Sequence, residues 1–124
     1  MFKKKILVVD DEVDFLTLIQ KVLVAENFDV SIASNAIEGG LKLASELPNL
    51  ILMDICMKGI NGLDACKAIR NNPKTRNIPI IIVSALADGG DIKKGLGQGA
   101  VDYFPKPVDI DKLIPKIKEL TKDK

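Results

Sequence analysis

Short, unbroken apolar runs alternate with amphipathic stretches along this whole chain, and few folds accept that order. The runs ILVV (6–9), LILM (50–53) and IIIV (80–83) carry no polar residue, as expected of strands buried on both faces of a sheet. Between them the period changes. Val13, Leu16, Ile19, Val22 and Leu23 fall on one helical stripe, and Asn27, which tolerates a left-handed backbone, is placed to end it. Val30 and Ile32 mark a shorter strand. A second helix is predicted over 35–47 with Leu41 and Ala44 on its buried side, a third over 63–70, and a fourth near 91–98. A fifth strand is predicted at 101–104, and a last helix over 109–120 with Leu113, Ile117 and Leu120 as its apolar face. Glycines weaken two of these helices, Gly39 and Gly40 in the second and Gly95 and Gly97 in the fourth, by about 1 kcal/mol each relative to alanine. Pro115 falls inside the last helix, where it removes a backbone donor.

Strand and helix alternating in this way imply right-handed crossovers and a parallel sheet covered on both sides. The expected class is α/β, a doubly wound (βα)5 sheet whose five units suit the flavodoxin-like strand order 2-1-3-4-5, with ligands beyond the carboxyl ends of the strands. The fifth strand is then an edge, where Pro105 is tolerated. At 124 residues the expectation is one domain, 1–124, with a core of its own and no output domain.

Charge narrows the function. Eighteen basic against seventeen acidic side chains leave a net charge of +1, which offers no reason for direct binding to nucleic acid or an anionic membrane. There is no histidine. Imidazole acid–base catalysis, histidine-ligated zinc and a phosphohistidine-donor role are thereby excluded. Cys56 and Cys66 lack metal spacing and are too few for a disulfide framework. Lys3, Lys4 and Lys5 precede only four apolar residues, too few for a signal peptide, and no run approaches the ~20 residues of a membrane span. A cytoplasmic protein is expected.

The apolar runs share one further property: each ends on a polar residue. ILVV runs into Asp10 and Asp11, LILM into Asp54, IIIV into Ser84, and YFP (103–105) into Lys106. Carboxylates converging at neighbouring strand ends repel by about 4 kcal/mol for a pair 4 Å apart at an effective dielectric of 20. Such crowding calls for a cation, and an oxygen-only donor set points to Mg²⁺ or Mn²⁺. A lysine there can pair with Asp54 and then with a phosphoryl oxygen as a point charge, and a serine can donate one hydrogen bond. Helix capping alone accounts for one such aspartate, but not for the whole set.

The segments VVDDE, LILMDICMKGINGLD, IIIVSA and DYFPKP, in this order and spacing, resemble the receiver domain of two-component response regulators, the chemotaxis-regulator-like fold. The resemblance covers essentially the whole chain. It implies Asp54 as phosphoacceptor, with Asp10, Asp11, Asp54 and the backbone carbonyl of Cys56 around the metal and Asp11 as the more direct ligand. It implies Ser84 as the conserved hydroxyl, Lys106 as the conserved lysine, a cis Lys106–Pro107 bond, and Tyr103 as the aromatic that swings between exposed and buried rotamers. The implied partners are a sensor histidine kinase or histidine phosphotransfer protein and a downstream protein target. The implied state is a monomer or a phosphorylation-dependent dimer, not a turnover enzyme. Departures are Lys58, where proline is usual, the uncharged Cys56 and Leu86 at positions that tune acyl-phosphate hydrolysis, and the glycines of the fourth helix. The departures at Cys56 and Leu86 imply a long-lived phosphoryl state.

Two other classes compete. A haloacid-dehalogenase-like phosphatase also uses an aspartyl phosphate, but it needs its nucleophile at the end of the first strand in a D-x-D arrangement, where this chain has Asp10, Asp11 and Glu12. A pseudo-receiver acting only as a scaffold needs no complete acid, hydroxyl and lysine set.

Overall fold

A computed structural model describes residues 3–57, 60–86 and 89–123. Lys58 lies outside these described residues. Five strands form one parallel sheet: β1 (Lys5–Val9), β2 (Asp29–Ala33), β3 (Leu50–Met53), β6 (Ile80–Ser84) and β7 (Asp102–Pro105). The order is β2-β1-β3-β6-β7. This is the predicted 2-1-3-4-5 once a short antiparallel hairpin, β4 (Cys56–Met57) with β5 (Ile60–Asn61), is set aside. The sequence reading had no place for that hairpin. Helices α1 (Val13–Ala25), α2 (Ala36–Glu46), α3 (Gly62–Asn71), α4 (Gly89–Gly97) and α5 (Ile110–Thr121) connect the strands.

The apolar runs occupy the middle of the sheet because they alone can be covered on both faces. Ile6, Ile51, Ile80, Ile81 and Ile82 have no exposed surface at all. Their side chains alternate into two cores. One holds Leu7, Val9, Ile51, Met53, Ile80 and Ile82 with residues of α3. The other holds Ile6, Val8, Leu50, Leu52, Ile81 and Val83 against Leu16, Ile19 and Leu23 of α1 and Leu113 and Ile117 of α5. Asn27 takes the left-handed conformation expected of it, with φ +70°. The last strand begins one residue later than expected, at Asp102, and Pro105 ends it on the sheet edge.

Two helices differ from the sequence reading. Val13 is 68% exposed, so the inward stripe of α1 begins at Leu16. In α2, Leu41 is 69% exposed and Ala44 also faces outward. The inward residues are Ala36, Gly39 and Leu43. The cause is Gly39, which lies flat against β1: a methyl group there would sit 3.1 Å from Val9 Cγ2. Hydrophobicity marks the wrong stripe when the closest-packed position carries no side chain. Pro115 lies inside α5 on its exposed side, where water can meet the carbonyl that the missing N–H leaves free.

Arg70, near the end of α3, ties the α3–β6 loop to the α4–β7 loop. Its Nε donates to the carbonyl of Gly99 at 2.9 Å, and its Nη1 donates to those of Arg76 at 2.9 Å and Ile78 at 2.7 Å. Burial holds the guanidinium below its usual pKa. Arg70→Met deletes every one of these donors, so a loss of roughly 2 kcal/mol is expected, about 5–8 °C in the thermal midpoint. A midpoint equal to the parent's would show that water replaces the guanidinium at no cost.

Candidate functional site

Parallel register brings the strand ends together. Val9 pairs with Met53, and the amide of Asp54 continues that ladder by donating to the carbonyl of Val9 at 3.1 Å. Asp10 and Asp54 are therefore neighbours at one edge of the sheet. Ser84 pairs with Pro105, and the amide of Lys106 donates to the carbonyl of Ser84 at 2.9 Å.

Three of these residues solve the same local problem in the same way. Each ends a buried strand, and its side-chain oxygen accepts from the amide two residues further on. Asp10 Oδ1 accepts from Glu12 at 2.9 Å, Asp54 Oδ1 from Cys56 at 2.8 Å, and Ser84 Oγ from Leu86 at 3.2 Å. Such turns suit Asp and Ser, which can close a ring on their own backbone. They fix one oxygen of each carboxylate and leave Oδ2 to face the site.

Lys106 fills the centre. Its Nζ donates to Asp10 Oδ2 at 2.7 Å, to Asp54 Oδ2 at 3.1 Å and to Glu12 Oε1, using the three donors of an ammonium. The same nitrogen lies 4.5 Å above the centre of the Phe15 ring. Burial alone would pull the Lys106 pKa down, but the hydrogen bonds with Asp10, Glu12 and Asp54 outweigh it and hold the ammonium above the usual lysine value. The Lys106–Pro107 bond is cis.

Asp10 is 1% exposed and Asp54 4% exposed. Burial raises the Asp10 pKa, and the hydrogen bonds from Lys106 and the Glu12 amide reverse this only in part. Three carboxylates against one ammonium leave an excess of two negative charges. Oxygens of Asp10, Glu12 and Asp54 all lie within 4.8 Å of one another, a set that a hard divalent cation can take. Asp11, half-exposed, lies outside that trio. The sequence reading therefore missed Glu12, although it stands directly after the two aspartates, and also Phe15. The peptide of Cys56 lies beside Asp54 through its N–H. Ser84 has no exposed surface. Tyr103 is buried, and its hydroxyl donates to the carbonyl of Leu86.

The response regulator receiver domain family model matches residues 6–118. The chain belongs to that family. Response regulator PleD of Caulobacter vibrioides is 37% identical over 120 residues, which are 97% of this chain and 26% of that protein. Response regulator ArlR of Staphylococcus saprophyticus is 41% identical over 116 residues, 94% of this chain and 51% of that protein. This receiver domain thus spans about half the length, or less, of these curated relatives. A CheY-like receiver domain protein from Methanospirillum hungatei is 32% identical and superposes with a TM-score of 0.87, covering 95% of this chain and 93% of that one. Receiver domains are signalling modules of two-component systems. Among the described residues, no helix is long and apolar enough to cross a membrane.

The geometry of this receiver domain carries a stability prediction. The ionised Asp10 is net unfavourable in the metal-free fold, because burial outweighs its partners. Asp10→Asn keeps the acceptor for the Glu12 amide and removes the charge. Without divalent cation it is expected to melt above the parent, by about 1 kcal/mol or roughly 4 °C. Added Mg²⁺ should then raise the parent more than the variant, since ligand binding to the native state alone stabilises it. A lower metal-free midpoint for the variant would count against the crowded acidic site.

Proposed function

We propose that this receiver domain, in the cytoplasm, accepts a phosphoryl group on Asp54 from a sensor histidine kinase or histidine phosphotransfer protein. The reaction is Mg²⁺-dependent and changes the α4–β7–α5 face, which controls docking to a downstream protein. The observation that carries this reading is the Lys106 ammonium bridging Oδ2 of Asp10 and Oδ2 of Asp54 in a buried acidic corner.

The chemistry follows from which atoms are held and which are presented. Asp54 Oδ1 is fixed by the Cys56 amide, so Oδ2 is the nucleophile. It attacks phosphorus, a new P–O bond forms, and the bond to the donor breaks, its electron pair leaving with the imidazole or, for acetyl phosphate, with acetate. Lys106 already touches Oδ2 and can follow the oxygens of the arriving group. Ser84 Oγ accepts from the Leu86 amide, which directs its own O–H to donate to a phosphoryl oxygen. Asp10, Glu12 and Asp54 could hold Mg²⁺ between them, and the resemblance implies the set Asp10, Asp11, Asp54 and the Cys56 carbonyl. When bound, the ion supplies positive charge to the non-bridging oxygens of the transferring group. Catalysis is then positioning and electrostatics. The product biases a two-state element, with Ser84 drawn toward the phosphoryl group and Tyr103 held inward. The side chains of Cys56 and Leu86 carry neither charge nor amide to orient a water, which favours a long-lived acyl phosphate.

Intact-mass measurement after incubation with acetyl phosphate tests this reading. One added phosphoryl group is expected with Mg²⁺ and none in the presence of a chelator. Equal labelling in both conditions would overturn the metal-dependent reaction.

A further inference from the structure

Helix α4 contains glycines at 89, 90, 95 and 97 within nine residues. A glycine in a helix interior costs about 0.8–1 kcal/mol relative to alanine, and two of these four have no packing reason to be glycine. A methyl group at Gly89 or Gly97 would meet nothing within 4 Å. Gly95 is different. It is buried, and a Cβ there would lie 2.7 Å from Ile82 Cδ1, 3.0 Å from Tyr103 Cδ2 and 3.1 Å from Tyr103 Cε2. The Ile82 δ-methyl is the free end of a flexible side chain and can turn aside, whereas the rigid Tyr103 ring beside it cannot give way without moving as a whole. Tyr103 is 8% exposed, pairs with Ile82 across the sheet, and hands its hydroxyl to the carbonyl of Leu86.

We propose that Gly95 is the positioning residue for Tyr103: its bare backbone forms the seat that admits the ring, so this receiver holds its switch aromatic inside before any phosphoryl group arrives. The proposal rests on reading Tyr103 as the switch aromatic of the α4–β7–α5 face. Phosphorylation then consolidates a ring position that already exists. Any side chain at 95 would return the ring to solvent at rest and make its inward turn depend on the phosphoryl group.

Tyr103 is the sole tyrosine, and the chain has no tryptophan, so tyrosine fluorescence reports on this ring alone. In the unphosphorylated protein, acrylamide should quench wild type weakly and Gly95→Ala severalfold more. Gly97→Ala also adds a methyl group to α4 but places it in open space, and its quenching should match wild type. Equal quenching of the two alanine variants would overturn the proposal. Loading with acetyl phosphate should lower quenching in Gly95→Ala and leave wild type nearly unchanged; a large fall in wild type would show that the ring rests outside and would also overturn it. Should Gly95→Ala fold poorly, the Tyr103→Ala background decides. With the ring gone, Gly95→Ala should raise the melting temperature as Gly97→Ala does, whereas a continued loss would place the conflict elsewhere than the ring. The quenching comparison at rest and the melting comparison use no phosphodonor, so failure of the Asp54 reading would appear in the mass measurement and leave them unaffected.

Discussion

Asp54→Asn is expected to take up no phosphoryl group from acetyl phosphate and Mg²⁺ while keeping a native melting curve. Asparagine is the informative substitution because of how Asp54 is held. Its Oδ1 accepts from the Cys56 amide at 2.8 Å in a residue only 4% exposed. Alanine would take the acceptor away from that part-buried amide, a loss of about 1 kcal/mol. The amide oxygen of asparagine still accepts, while the nitrogen that replaces Oδ2 is no nucleophile. Incorporation should therefore fall from one group per chain to background with the fold intact. Phosphoryl mass persisting in Asp54→Asn would move the acceptor to another residue.

The second large effect belongs to Lys106. Its side chain is 11% exposed, and the Asp10 and Asp54 side chains that it joins are 1% and 5% exposed. Lys106→Met preserves most of the stem and deletes the cation, leaving two buried carboxylates uncompensated. Breaking a buried pair from one side costs on the order of 3–5 kcal/mol, and relief through protonation of Asp10 brings the expectation to the lower end. A fall of roughly 10 °C in the metal-free midpoint should follow. Mg²⁺ should then stabilise the variant by more than it stabilises the parent, because the ammonium no longer competes for the same oxygens. A midpoint within about 2 °C of the parent would mean that Lys106 is not what permits the acids to sit there.

The sequence revealed this site because its residues end apolar runs. Asp10, Asp54 and Lys106 each directly follow a strand and Ser84 ends one, and a parallel sheet collects such positions along one edge. The strand order itself came from the resemblance, since hydrophobic runs alone do not say which strand lies beside which. Glu12 stayed hidden because a glutamate at a helix start reads as a cap, and only the fold shows it reaching Lys106. Arg70 stayed hidden for a related reason: a cation in the last turn of a helix suggests solvent, whereas this one is spent on backbone carbonyls. The hairpin of β4 and β5 has two-residue strands, too short to carry any alternation. The inward stripe of α2 was misread because its closest contact with the sheet is made by Gly39.

The ion pair between Asp10 and Lys106 spans 96 positions of the chain, and this separation governs how the protein is made. A chain leaving the ribosome exposes its first acids long before the residue that neutralises them, and closing so long a loop carries its own entropic cost. Fragments ending before β7 lack the ammonium that pairs with Asp10 and Asp54. The ammonium that neutralises the acidic corner therefore becomes available only after most of the chain has been made.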